Sequence, residues 1–239
     1  MCGRYVQPDV AAIERAWHIG RHNVTRHFID AIRYNVTPGS YVPALRRDGD
    51  GGFELCDLRW GLVPSWAGNA ESGLKTINAR SETVATSGAY RQAFRKRRCL
   101  VPAMGWYEWQ VLGSRRKQPW YMSSRDGRLL AFAAIWEKRQ ESAVDALESV
   151  SILTRPANED TASVHDRMPV LLDEAGQIDW LDTPEHLCER LVERALKGPM
   201  VPVKAHRVSE RVNRPHADDA TLIEPEAPSA PAQGDLWGS

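Results

Sequence analysis

The sequence contains no run of about 18 apolar residues, the length that a membrane-spanning helix requires. A basic stretch leading into an apolar run is also missing from its start, so no secretory leader is expected and a cytoplasmic protein is. The four cysteines are Cys2, Cys56, Cys99 and Cys188, and no two fall at C-x-x-C spacing. That leaves zinc-ribbon and thioredoxin-type chemistry without a basis. In a reducing compartment the default fate of the last three is a small buried side chain. Strand-like runs do not alternate with helical ones, which argues against βαβ units and a parallel sheet. Lys and Arg are absent from His216 onward, although five of the 31 acidic residues (Asp218, Asp219, Glu224, Glu226 and Asp235) lie there. The formal charge of zero therefore hides a net +5 on residues 1–215. A mildly basic body does not exclude a nucleic-acid partner.

What is present is an ordinary globular composition, 42% hydrophobic and 26% charged over 239 residues, enough chain for a substantial core. Strand-like runs dominate: "FELCDLRWGLV", "RCLVPAMGWYEWQV", "PWYMSS", "RLLAFAAIWE" and "SVSILTR". Three helices are expected: "PDVAAIERAWHI", "SGAYRQAFRKRR", and "TPEHLCERLVERALKG" with Thr183 as N-cap, Pro184 at N1 and Gly198 as the stop. The predicted fold class is α+β, a single domain whose curved antiparallel sheets form a barrel-like core flanked by a few helices. From about His216 the chain is Pro-, Ala- and acid-rich and reads as flexible. The domain is placed at 1–225 and the tail at 226–239.

Several clusters carry possible chemistry. Cys2 follows Met1 directly, so loss of one residue would put a free α-amine beside a free thiol. Trp60, Trp66, Trp106 and Trp109 lie near polar residues; exposed members of such a set suit stacking on unpaired bases, and core packing is the alternative. Arg91, Arg95, Lys96, Arg97 and Arg98 form either a solvated helix face or a phosphate contact. "INARSET" places Asn78, Arg80 and Glu82 together, and "VHDRMPV" places His165 beside Asp166 and Arg167. Histidine is the natural proton donor near neutral pH.

"MCGRY", "RYNVTPG", "WGLVPSWA", "INARSET", "VPAMGWYEW" and "HDRMPV" occur in the order seen in the SRAP family, the SOS-response-associated proteins, and the chain resembles that family over roughly residues 2–225. The resemblance implies an enzyme, of lyase or peptidase type by family naming, that attaches itself covalently to abasic sites in single-stranded DNA. Cys2 would be the nucleophile, with Asn78, Glu108 and His165 around it. Arg4, Asn35, Arg80 and Arg167 resemble DNA-backbone contacts. Trp66 with Pro38 would stack on or wedge against flanking bases, and Thr154 resembles a further pocket residue. No cofactor or metal is implied, no membrane partner is expected, and a monomer is expected. A Cys after Met also opens the glutamine amidotransferases, and a non-covalent reader of single-stranded DNA is a third possibility. Gln233–Trp237, "QGDLW", resembles the short peptide that bacterial proteins insert into the replication sliding clamp.

Overall fold

The computed structural model of the protein describes residues 2–19, 30–68, 70–113, 116–142, 145–198 and 201–226. Met1 and the Gln233–Trp237 motif lie outside them. Five strands form a closed ring: β3 (Tyr41–Arg47), β4 (Phe53–Trp60), β6 (Arg98–Ala103), β9 (Leu130–Gln140) and β10 (Ala146–Pro156). The order round the barrel is β10-β4-β3-β6-β9 and back to β10. Four of the five pairings are antiparallel; the β4–β10 closure is parallel, with Val150 opposite Trp60. The expectation of antiparallel sheets therefore holds for the other four pairings of the ring. Parallel neighbours need a long crossover, and about 85 residues separate these two strands. Two short strands add to β10 outside the ring, β5 (Asn78–Arg80) in parallel and β11 (Arg167–Pro169) antiparallel.

Alternation sorts the barrel side chains onto two faces. Leu45, Leu55, Leu100, Ala133, Ile135 and Leu153 pack with the helices and so point outward. Ala44, Cys56, Cys99, Ala134 and Val150 belong to the other buried cluster and point inward, where their small size suits a five-strand barrel. The four cysteines are free and buried.

A second sheet has the order β12 (Val203–Arg207), β8 (Arg116–Ser124), β7 (Gly105–Leu112), β1 (Tyr5–Gln7) and β2 (Arg33–Val36). The single apolar run "RCLVPAMGWYEWQV" is thus two strands in two sheets, β6 and β7, and the chain crosses between them at Met104. Gly105 makes the crossing possible, because a Cβ there would lie 2.3 Å from the Met122 carbonyl oxygen. Edge-on rings join the layers: Tyr5 meets Trp60 at 5.5 Å, and Phe132 meets both Tyr5 and Trp106 at 6.1 Å.

The helices cover the outside of the barrel. In α1 (Val10–Trp17), Asp9 caps the N-terminus, accepting from Ala12 N at 2.6 Å, and Ile13 and Trp17 are buried. The next helix, α2 (Arg91–Lys96), buries Ala93 and Phe94. The third predicted helix is corrected. Thr183 ends a helix rather than starting one: α3 (Glu174–Asp182) precedes it, capped by Asp173. Pro184 is extended, a 3-10 turn spans Glu185–Leu187, and α4 (Arg190–Lys197) begins only afterwards.

The reading of flexibility is also corrected for residues 216–226; the rest of the tail lies outside the described residues. Residues 208–226 form a strap across the outer face of the second sheet. Val208, Val212 and Leu222 are fully buried there against Val6, Tyr107 and Tyr121. Asp218 accepts from the Tyr34 backbone N–H, and Glu226 N donates to Arg207 O at 2.8 Å. Apolar burial overrides the Pro- and acid-rich composition. Among the described residues, no helix is long and apolar enough to cross a membrane.

Candidate functional site

Cys2 lies just before β1, wholly buried on the face of the second sheet that meets the barrel. Its backbone carbonyl accepts a hydrogen bond from Asn78 Nδ2 at 2.8 Å. Asn78 opens β5 and sits opposite Ile152 of β10, so the barrel wall fixes its position. Its own carbonyl accepts from the Tyr90 hydroxyl at 3.1 Å. The loop that leads to β5 is seated by a glycine pair. Gly61, with φ +126°, would place a Cβ 2.5 Å from the Gly73 carbonyl oxygen, and Gly73 is equally crowded by Gly61. Only glycines allow two loop backbones to approach so closely.

Glu108 comes from the middle of β7, paired with Trp120 of β8, and is 2% exposed. Burial penalises its charged form and pushes its carboxyl up to about 7. His165 faces it, with Nε2 3.9 Å from Glu108 Oε2. The Arg167 backbone N–H donates to His165 Nδ1 at 3.0 Å, so the neutral ring carries its proton on Nε2, toward Glu108. Asp166 Oδ1 stands 2.8 Å from Nδ1 and offers an acceptor when the ring is protonated. Burial lowers the His165 pKa and favours the neutral ring near pH 7. The Cys2 thiol is raised well above its ordinary value, first by burial and then by the Glu108 charge, and is held as SH.

Thr154 and Arg167 brace this pocket. The Thr154 carbonyl accepts from Ser81 N and Ser81 Oγ, both at 2.9 Å, and from Arg167 Nη2 at 2.7 Å. Thr154 is itself fully buried. Arg167 also forks onto the Glu82 carboxylate, whose pKa it lowers. Toward solvent, Arg80 is exposed at the end of β5 and Pro38 is half-buried. Trp66 is 73% exposed on the loop after Gly61. A shallow groove of about 660 Å³ opens beside His165, lined by Trp109, Arg116, Lys117 and Asn213. Sequence reasoning passed over Arg116 and Lys117; a short basic run was their only signal.

Four candidates, Cys2, Asn78, Glu108 and His165, are brought together, and Thr154 and Arg167 support them. Arg4 and Asn35 are not part of this cluster. Their side chains point to the opposite face of the second sheet and bond the strap. Of the tryptophans among the described residues, Trp60 and Trp106 are core and only Trp66 is largely exposed. The basic run on α2 faces other elements: Arg97 bonds Glu137 at 2.7 Å, and Arg95 and Lys96 lie 3.8 Å from Glu189 and Glu185. Arg98 turns inward to backbone carbonyls. Four of the five residues, Arg95, Lys96, Arg97 and Arg98, thus meet groups of this chain, which speaks against a phosphate site there.

Similar proteins share this arrangement of strands. A crystal structure of a protein from Bacteroides thetaiotaomicron superposes with a TM-score of 0.77 at 22% identity, covering 95% of this chain and all of that one. Among sequences, the abasic site processing protein YoaM of Bacillus subtilis is 35% identical over 81% of this chain and 85% of its own length. The abasic site processing protein YedK of Escherichia coli is 32% identical over 81% of this chain and 84% of its own. The family model described as SOS response associated peptidase (SRAP) matches residues 1–215. The chain belongs to the SRAP family.

Proposed function

We propose that this protein, once Met1 is gone, captures abasic sites in single-stranded DNA by forming a thiazolidine with Cys2. The observation that carries the reading is the buried Cys2, tethered through its carbonyl by Asn78 in a pocket where Glu108 and His165 face each other. An abasic sugar equilibrates between a closed ring and an open aldehyde. The Cys2 α-amine would add to the aldehyde and lose water, giving an imine. The thiol would then add across the C=N bond, sulfur to carbon and proton to nitrogen, closing a five-membered ring. Only an N-terminal cysteine holds both nucleophiles on adjacent carbons. An α-amine has a reference pKa of about 7.7–8.0, against about 10.4 for lysine, so more of it is neutral at pH 7. The second addition is intramolecular and gains the usual proximity advantage.

Glu108, titrating near neutral pH, would take the proton from the amine and return it to the leaving water. His165 in its protonated form, with Asp166 accepting at Nδ1, would give its Nε2 proton to the sugar ring oxygen to open it. Asn78 would hold the Cys2 backbone. Trp66 and Pro38 would meet flanking bases, while Arg80, Arg116 and Lys117 supply positive charge for the phosphates. Arg167 and Thr154 would shape the pocket wall. The related proteins named for abasic site processing support this substrate. Met1 removal by the chain itself, in keeping with the family's peptidase name, or by a methionine aminopeptidase gives the same reactive species. For the tail, docking of Gln233–Trp237 into a sliding clamp is proposed from its pattern. A peptide of residues 228–239 should bind a bacterial clamp by calorimetry, and no heat at high micromolar concentration would remove that part.

The deciding experiment incubates the Met1-free chain with single-stranded DNA bearing one abasic site, followed by a denaturing gel. A shifted band is expected from the wild type and not from Cys2→Ala or a chain with an N-terminal extension. No denaturant-stable band would overturn the reading. Glutamine hydrolysis in its place would point to the amidotransferase chemistry.

A further inference from the structure

Asn35 resembles a DNA contact by its motif, yet the fold uses it otherwise. It lies in β2 and is 4% exposed. Its Oδ1 accepts from Arg4 Nη1 at 2.8 Å. Its Nδ2 lies within hydrogen-bond reach of three strap carbonyls, Val212 at 3.3 Å, Arg214 at 3.0 Å and Ala217 at 2.7 Å. An amide nitrogen has two protons, so both are committed and none is left for a phosphate. Arg4 Nη1 also donates to the Val212 carbonyl at 2.9 Å. The Arg4 carbonyl in turn accepts from Tyr107 N at 2.9 Å, one residue before Glu108. One buried amide therefore links the segment that carries Cys2, the strand that carries Glu108 and the C-terminal strap. Cys2 lies two residues from Arg4, on the other face of the same sheet.

We propose that Asn35 is a positioning residue for Cys2, fixing the N-terminal segment against Glu108 through Arg4 and the carbonyls of the strap. The inference rests on the crosslinking reading for its kinetic consequence, though not for its structural one. Removing the amide takes from the Ala217 carbonyl its donor, and from the Val212 and Arg214 carbonyls and the Arg4 guanidinium one of the partners that each has. The N-terminal segment then samples positions in which the α-amine and thiol no longer share the pocket with Glu108 and His165. A displacement of this kind lowers the rate of reaction within the bound complex without weakening DNA binding.

The test compares wild type, Asn35→Ala and Asn35→Asp, all without Met1 and all well below their melting temperatures. The Asp variant keeps the shape of the side chain and removes both donors, so it serves if the Ala variant does not fold. Crosslinking rate at saturating DNA is measured with single-stranded DNA carrying an abasic site. Non-covalent affinity is measured with the same DNA carrying a tetrahydrofuran analogue, which has no aldehyde. Amide hydrogen exchange is followed for Tyr5–Gln7. The saturating rate is expected to fall at least tenfold, Kd to stay within twofold, and exchange at Tyr5–Gln7 to accelerate. A saturating rate equal to wild type in either folded variant overturns the proposal, whether or not Kd rises. A rise in Kd alone identifies a DNA contact. If the wild type itself forms no crosslink, the function proposed above fails, and exchange alone decides this inference: unchanged protection at Tyr5–Gln7 overturns it.

Discussion

Glu108 is the residue whose environment is most at odds with its chemistry. A carboxyl that titrates near 7 in the fold and near 4.5 when unfolded keeps a proton that the unfolded chain has lost. Below pH 4.5 both states are protonated and the group is neutral to stability. Between pH 4.5 and 7 the unfolded chain ionises first, so stability falls as pH rises. Above pH 7 the cost levels off at about 3 kcal/mol. His165, with its lowered pKa, has the opposite slope: its stability contribution is lost as pH falls through the ordinary histidine range. The expectation is that Glu108→Gln flattens the fall between pH 4.5 and 7, gaining stability at pH 7.5 and little at pH 4, as urea melts across pH would show. A wild-type curve parallel to that of the variant would refute the buried-acid assignment. The same substitution should slow crosslinking. Cys2, Asn78, Glu108 and His165 were legible because each stands in a short motif. The roles of Arg4 and Asn35 were not, since a motif shows which residue is kept and not which way its side chain points. Only the folded chain, in which both bond carbonyls of the strap, places them on the strap face.

At the scale of elements, Arg98 shows how the helix layer is fastened to the barrel. Its guanidinium donates to the Phe94 and Arg95 carbonyls at 2.8 Å, at the end of α2. It also reaches the Trp180 carbonyl at 2.5 Å and the Thr183 carbonyl, at the end of α3. Two helix C-termini, each with carbonyls lacking intrahelical partners, share one cation that also suits their dipoles. Arg98→Ala is expected to cost about 2–4 kcal/mol in chemical denaturation, from the lost charged hydrogen bonds. Arg98→Lys should recover only part of it, because an ammonium lacks the fork. A loss below 0.5 kcal/mol for the Ala variant would contradict the shared-cap account. Strands were readable as aromatic and β-branched runs. The helix α3 was not, since in "EAGQIDWLD" only Gly176 and Trp180 are buried and no apolar stripe marks it. Pro184 and Thr183 gave a sound N-cap pattern that the chain does not use, because Arg98 and Asp179 already hold Thr183 as the end of α3.

The whole molecule is held by contacts between distant parts of the chain. Closure of the barrel pairs β4 with β10, and nothing in the spacing of two apolar runs discloses such a parallel pairing. The strap was hidden by composition: within a segment rich in Pro, Ala and Asp, Leu222 alone among the described residues supplies a fully buried large side chain after Val212. Leu222→Ala is expected to destabilise by about 2–5 kcal/mol in urea denaturation, with the apolar pocket under the strap opened to solvent. A change under 1 kcal/mol would mean that the strap adds little to the fold.

The N-terminal segment finds the last of its partners late. Tyr5 pairs with Val36 and Trp106, Cys2 is tied to Asn78, and the amide that fixes Arg4 is itself fixed by Ala217. During synthesis at roughly 5–20 residues per second, the first residues therefore wait roughly 10–40 s before residue 217 has been made. Throughout that interval the amide that fixes Arg4 lacks its partners in the strap. An aminopeptidase working at the ribosome would reach Met1 before the pocket exists, whereas removal by the chain itself would have to wait until it does.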